Sequence, residues 1–188
     1  MKKRVFIIHR WLGDPKKDWY PWLKKELEDR GFEVYVPELP DTNNPRIYNW
    51  IPAISEVVKN PDEETYFVGH SVGCQAIARY LETLPQEVKI GGVVFVAGFF
   101  KRLVGLEPED HVTADHWLKA PIDFKKVKSH LRKSVAIFSD NDPWVSLDNQ
   151  DDFRDKLGSE IIVEHNMKHF TDKELPLALN AVLKVSNL

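Results

Sequence analysis

Gly69-His70-Ser71-Val72-Gly73 is a G-x-S-x-G sequence set directly between an apolar run, Thr65–Val68, and a segment with helical spacing. A sharp strand-to-helix turn of this kind holds its serine in strained backbone geometry. It exposes the hydroxyl at the carboxyl end of a sheet, above the positive end of a helix. Gly69 and Gly73 leave room where side chains would clash. A serine hydroxyl is a poor nucleophile, so Ser71 needs a base within hydrogen-bond reach and a carboxylate to orient that base. The bland alternative is a glycine-lined turn without chemistry, and the strand before it and helix after it weigh against that.

On such a scaffold the partners follow in the order serine, acid, histidine, each on a loop after a later strand. Ser139-Asp140-Asn141-Asp142-Pro143 follows the apolar run Val135–Phe138 and offers two acids. Asp142 is the expected triad acid, because Asp142-Pro143-Trp144-Val145 resembles the acid loop of many α/β-hydrolases. Asp140 reads as a side-chain cap of its own turn. Beyond the last apolar run stand His165 and His169. His169 lies just before the final helical segment, where the base belongs; His165 lies almost within the strand and reads as structural. Their spacing would suit a metal on a helix, but here it spans a strand end and a loop, so no metal is expected.

The oxyanion formed during acyl transfer needs two preorganised backbone donors. Val72 N–H, directly after the nucleophile, is one candidate. The other is Trp11 N–H in His9-Arg10-Trp11-Leu12-Gly13, although Trp11 could equally only pack over the site. Trp11, Trp144, Phe99 and Phe100 fall on loops at one sheet end and could line an apolar acyl pocket; ordinary packing beneath loops is the competing explanation for each. Cys74 reads as a small buried hydrophobe and not as a nucleophile.

The elements that must position these residues are legible as periodicities. Val5–Ile8, Phe32–Val36, Thr65–Val68, Val93–Ala97, Val135–Phe138 and Ile161–Val163 are short, nearly continuous apolar runs, as strands buried on both faces of a parallel sheet are. Trp19, Trp22, Leu23 and Leu27 share one helical face, with Gly31 as its stop; Ile77, Tyr80, Leu81 and Leu84 share another. Leu175 to Val185 forms a terminal helix. Ile47 to Lys59 has helical spacing with Pro52 inside it, so the helix either starts near Pro52 or is kinked there. Between residues 99 and 133 no strong strand occurs, and a short helix over Phe124–Leu131 with a lid-like excursion is expected. Strand–helix alternation predicts an α/β fold, three-layer and doubly wound, with a mainly parallel sheet of about six strands and helices on both faces.

The chain has 188 residues, enough for the single domain (1–188) expected and few for two. With 43% hydrophobic and 29% charged residues it has the composition of a soluble globular protein. A formal charge of -3 gives no electrostatic reason to expect nucleic acid or an anionic membrane as partner. The single cysteine cannot form an internal disulfide, and the apolar run at the start ends too early for a signal peptide, so a cytoplasmic location is expected. No Gly-rich dinucleotide fingerprint follows the first strand, and no cofactor is expected.

With these residues in place, the chain resembles the YdeN-like and retinoblastoma-binding protein 9-like family of small serine hydrolases. The resemblance runs through Trp19-Tyr20-Pro21-Trp22-Leu23, Leu39-Pro40-Asp41, Trp50-Ile51-Pro52 and the three segments around Ser71, Asp142 and His169. It implies a minimal α/β-hydrolase sheet and a metal-independent, carboxylesterase-like serine hydrolase acting on a small-molecule acyl substrate. Relatives often have Gly where this chain has Arg10 and Lys168, and Pro where it has Ser146. Arg10 and Lys168 add positive charge near the site, which would favour acidic substrates or alter loop geometry. The rival reading is a protein of this fold acting through a protein partner, since fold alone does not establish activity. An intact serine, acid and histidine set in order favours catalysis.

Overall fold

The computed structural model describes residues 2–188. Six strands form one parallel sheet in the order β2-β1-β3-β4-β5-β6: β1 (Arg4–Ile8), β2 (Glu33–Tyr35), β3 (Thr65–His70), β4 (Gly92–Val96), β5 (Ser134–Ser139) and β6 (Glu160–Glu164). The chain therefore enters the sheet one strand in from the edge, steps out to β2, and returns across β1 to build the rest. Side chains alternate across this sheet. Val5 and Ile7 join one core while Phe6 and Ile8 join the other, and Val94 and Val96 oppose Phe95 in the same way. Both faces are buried, which is why these strands read as unbroken apolar runs.

Helices α1 (Tyr20–Glu28) and α7 (Pro176–Ser186) cover one face. On the other lie α2 (Ile47–Val58), α3 (Val72–Thr83), α4 (His111–Leu118), α5 (Phe124–His130) and α6 (Gln150–Asp152), which runs on as a π-helical turn, Phe153–Leu157. Gly31 ends α1 at φ 89°, with its N–H on Glu28 O (2.9 Å) and Phe32 N–H on Leu27 O (3.1 Å). That pair of bonds is a Schellman stop, for which a residue without Cβ is best suited.

Helix α2 is continuous from Ile47 through Pro52, so the alternative of a start near Pro52 is corrected. Pro52 sits on the exposed side, where water can serve the carbonyl that the missing N–H leaves free. α5 falls where a short helix is expected. α4 and α6 were not foreseen. Two tertiary contacts hold them. Arg79 of α3 donates to the carbonyls of Trp117, Ala120 and Pro121 at the end of α4. Asn149, fully buried ahead of α6, accepts from Phe100 N and Lys101 N and donates to Arg102 O and Ser146 O.

Register sets the functional end of the sheet. Ile8 pairs with Gly69, so the loop after β1 lies beside the β3–α3 turn. Ser139 pairs with Glu164, so the loops after β5 and β6 leave the sheet side by side. No helix among the described residues is long and apolar enough to cross a membrane.

Candidate active site

Ser71 stands between β3 and α3 at φ 55° and ψ −118°, a conformation that costs a non-glycine residue about 1–3 kcal/mol. The flanking glycines are sterically required. A Cβ on Gly73 would lie 2.2 Å from Ile8 O, and one on Gly69 would lie 2.9 Å from Cys74 N. The turn is held by Ser71 N–H to Val96 O (2.9 Å) and Cys74 N–H to Ser71 O (2.9 Å). Cys74 packs inside this turn with Sγ 3.3 Å from Gly69 O, and burial pushes its thiol pKa up, away from the thiolate.

Asp142 and His169 meet at 2.7 Å, Oδ2 to Nδ1, with side chains only 2% and 6% exposed. The other carboxylate oxygen of Asp142 accepts from Trp144 N (2.9 Å) and Val145 N (3.0 Å). With three donors around it, the Asp142 carboxyl accepts the His169 Nδ1–H and leaves the Nε2 lone pair free. The Trp144 ring stands edge-on to His169 at 5.0 Å. Ser71 and His169 line the same cavity, about 130 Å³ in volume, without a hydrogen bond joining them among the described contacts. Such bonds often close only when substrate is present.

Trp11, Val72, Phe99 and Trp144 also line this cavity, together with Leu12, Leu103, Leu106, Arg10 and Asp110. Trp11 Nε1 donates to Asn43 O (3.0 Å), fixing the ring. The backbone N–H groups of Trp11 and Val72 have no intramolecular acceptor among the described contacts, whereas Leu12 N–H is taken by Thr42 O and Gly13 N–H by Arg10 O. Phe100 is not a lining residue: it packs inward, 4.5 Å from Phe153 and 5.0 Å from Phe124 by ring centroids. Leu103 and Leu106 escaped the sequence reading because they sit in a segment without periodicity, placed by the Asn149 clamp.

Asp140 does not cap its own turn, as expected from sequence. Its Oδ1 accepts from Asn166 N (3.0 Å) and its Oδ2 from His165 Nδ1 (2.6 Å), tying the loop after β5 to the loop after β6. Asp142 is the acid that caps the turn. Asn141 Oδ1 takes Lys168 N–H (2.8 Å) and Ser139 Oγ takes Met167 N–H (3.0 Å), so successive amides of the loop carrying His169 are held. Of the two effects expected of Arg10 and Lys168, loop geometry is the one that Arg10 serves. Arg10 is neutralised by Asp18 at 2.7 Å and organises the loop after β1, while Lys168 is exposed. Lys168 has φ 49°, which explains why glycine suits that position; Ser146, at φ −63°, has a backbone that proline would share.

A family model described as serine hydrolase matches residues 5–177. The putative hydrolase YdeN of Bacillus subtilis (strain 168) is 30% identical over 174 residues, covering 93% of this chain and 89% of that protein. Serine hydrolase RBBP9 of Rattus norvegicus is 26% identical over 157 residues, 83% of this chain and 80% of that one. The crystal structure of the ydeN gene product from B. subtilis superposes with a TM-score of 0.91 at 27% identity, over 100% of both chains.

Proposed function

The chain belongs to the serine hydrolase family, and on that premise we propose that it cleaves an ester, thioester or amide bond through an acyl-Ser71 intermediate. Ser71 Oγ attacks the carbonyl carbon while His169 Nε2 takes its proton. Asp142 stabilises the resulting imidazolium. The oxyanion receives the Val72 and Trp11 N–H groups, which have no other acceptor to give up. His169 then protonates the leaving group, and the acyl–Ser71 ester remains. A water, deprotonated by His169, attacks that ester and releases the acid and Ser71. The cycle needs no metal.

One observation carries this reading: a buried Asp142–His169 pair opens on the cavity in which Ser71 is held at the head of α3. The lining by Trp11, Phe99, Leu103, Leu106 and Trp144 suits an apolar acyl group of modest size, in the carboxylesterase manner. A fluorophosphonate tests the whole scheme. Intact-mass measurement is expected to show one adduct, unchanged by chelator and absent in Ser71→Ala; an adduct that survives in Ser71→Ala overturns it.

A further inference from the structure

His70 lies beside the nucleophile, yet its ring is fully buried and does not line the cavity. Its two nitrogens are both engaged. Nδ1 is 2.7 Å from the Tyr20 hydroxyl, and Nε2 is 2.8 Å from the backbone carbonyl of His169. The Tyr20 oxygen in turn accepts from Arg10 N–H at 3.2 Å. Both ends of this chain are chemically one-way, since a backbone N–H only donates and a carbonyl only accepts. The direction of every bond between them follows. Tyr20 O–H donates to His70 Nδ1, and the His70 proton sits on Nε2, where it donates to His169 O.

We propose that His70 is a positioning residue for His169, a neutral imidazole locked in its Nε2–H tautomer that ties the base loop to the loop after β1. This rests on the reading of Ser71, Asp142 and His169 given above. The loop that carries His169 would not hold its shape unaided, because Asn166, Lys168 and Phe170 all have positive φ, between 49° and 59°. Its other restraints come from the acid loop, and Trp19 Nε1 secures Phe170 O at 2.9 Å. Among the described residues, His70 alone reaches the carbonyl of the base itself. Its ring also packs 5.1 Å from the His169 ring, so the same side chain sets both the height and the tilt of the imidazole. A charged His70 would present two donors and force Tyr20 to accept from both sides, breaking the relay. Burial, and then the nearby His169, hold its pKa well below the ordinary histidine value, in keeping with a neutral ring. Asp18 also lies near Tyr20, but its carboxylate is paired with Arg10 Nε (2.7 Å) and Nη2 (3.3 Å), and a neutral Nε2–H ring at His70 needs the Tyr20 proton at Nδ1, 2.7 Å away.

The test is steady-state kinetics on a chromogenic acetate ester (p-nitrophenyl acetate) with His70→Leu, His70→Gln, Tyr20→Phe and Ser71→Ala. His70→Leu is expected to lower kcat about 10²-fold, the effect of a misplaced catalytic group, with KM nearly unchanged because His70 does not touch the cavity. His70→Gln, which restores an N–H towards His169 O, should recover most of that loss. Tyr20→Phe should cost about tenfold in kcat through the freed tautomer. The proton resonance of the His169 Nδ1–H bond should shift in His70→Leu and Tyr20→Phe. If Ser71→Ala retains turnover, the hydrolase mechanism itself fails. If Ser71→Ala is inactive while Tyr20→Phe and His70→Leu both keep wild-type kcat and an unshifted resonance, the positioning role is overturned. Equal kcat for His70→Gln and His70→Leu overturns it as well; should His70→Leu not fold, Tyr20→Phe decides.

Discussion

Two aspartate–histidine pairs link the loops after β5 and β6, and they have almost the same geometry. Asp140 Oδ2 lies 2.6 Å from His165 Nδ1; Asp142 Oδ2 lies 2.7 Å from His169 Nδ1. The first pair is 37% and 79% exposed, the second 2% and 6%. Water screens the outer pair and competes for both partners, so it acts as a local tether. The inner pair is shielded by Trp144 and the His70 ring, and its far nitrogen opens on the cavity beside Ser71. A charge that develops on His169 is therefore met by a carboxylate at full strength, while a charge on His165 is met mainly by solvent. The bond is the same; burial and what lies on the other side of the ring separate the pair proposed for catalysis from a loop fastening.

Exchanging the acids gives the largest expected contrast. Asp142→Asn is expected to lower kcat by about 10⁴-fold, as removing a buried triad acid does. Asp140→Asn should cost less than about tenfold, the scale of one loosened tether. Stopped-assay kinetics on both variants check this, and equal losses would erase the distinction between the pairs. The histidines should repeat the pattern. His169→Ala should abolish both turnover and rapid fluorophosphonate labelling of Ser71, while His165→Ala keeps both. A His165→Ala variant that is folded by circular dichroism yet inactive would show that the outer pair carries chemistry.

A smaller effect sharpens the role of burial. Trp144→Ala strips one wall from the inner pair and moves it towards the condition of the outer one. An edge-on aromatic contact is worth about 0.5–1.5 kcal/mol, so kcat is expected to fall by up to about tenfold, with KM rising because the same ring lines the cavity. Unchanged kinetics would mean that Trp144 shields nothing.

The smallest effect concerns buried histidines that make no hydrogen bond to a carboxylate among the described residues. His70 is held well below its ordinary value by burial and then by His169, and His9 is lowered chiefly by burial. Such a group binds its proton in the unfolded chain first. Its contribution to stability is complete above the unfolded value, about pH 6.5, and declines as pH drops below it towards the folded value. Urea midpoints are expected to fall progressively from pH 7 to pH 5, with a shallower slope in His70→Gln. A midpoint that rises on acidification would contradict the assignment.

All six strands were legible as apolar runs: β1, β3, β4 and β5 because a parallel sheet covered on both faces gives nearly every residue of a strand the same buried environment, and the edge strands β2 and β6 by their β-branched and aromatic residues, although β6 is only partly covered. Boundaries moved by a residue or two: β3 carries Gly69 and His70 beyond the expected end, and β2 is only Glu33–Tyr35. α4 and α6 were not legible. α4 is held by Arg79 and the segment ahead of α6 by Asn149, contacts that span some forty residues and leave no local period. The cavity wall from Leu103 to Leu106 was hidden for the same reason.

The sequence by itself determined where a nucleophile could stand, since G-x-S-x-G between an apolar run and a helix is a local pattern whose glycines answer to contacts a few residues away. It also determined that an acid and a base would follow on later loops. It pointed to Asp142 by the resemblance of its loop and to His169 by its place before the final helix, but the burial that separates this pair from Asp140 and His165 is not written in it. Asp140-Asn141-Asp142 and His165-Asn166-Met167-Lys168-His169 hold two pairs of like chemistry, and nothing in their spacing says which is buried. That was decided by His70 and Trp144, whose rings pack against His169, and by Trp19, which holds the adjacent Phe170 carbonyl. Burial is a property of everything that surrounds a group, so only the assembled tertiary structure could assign it.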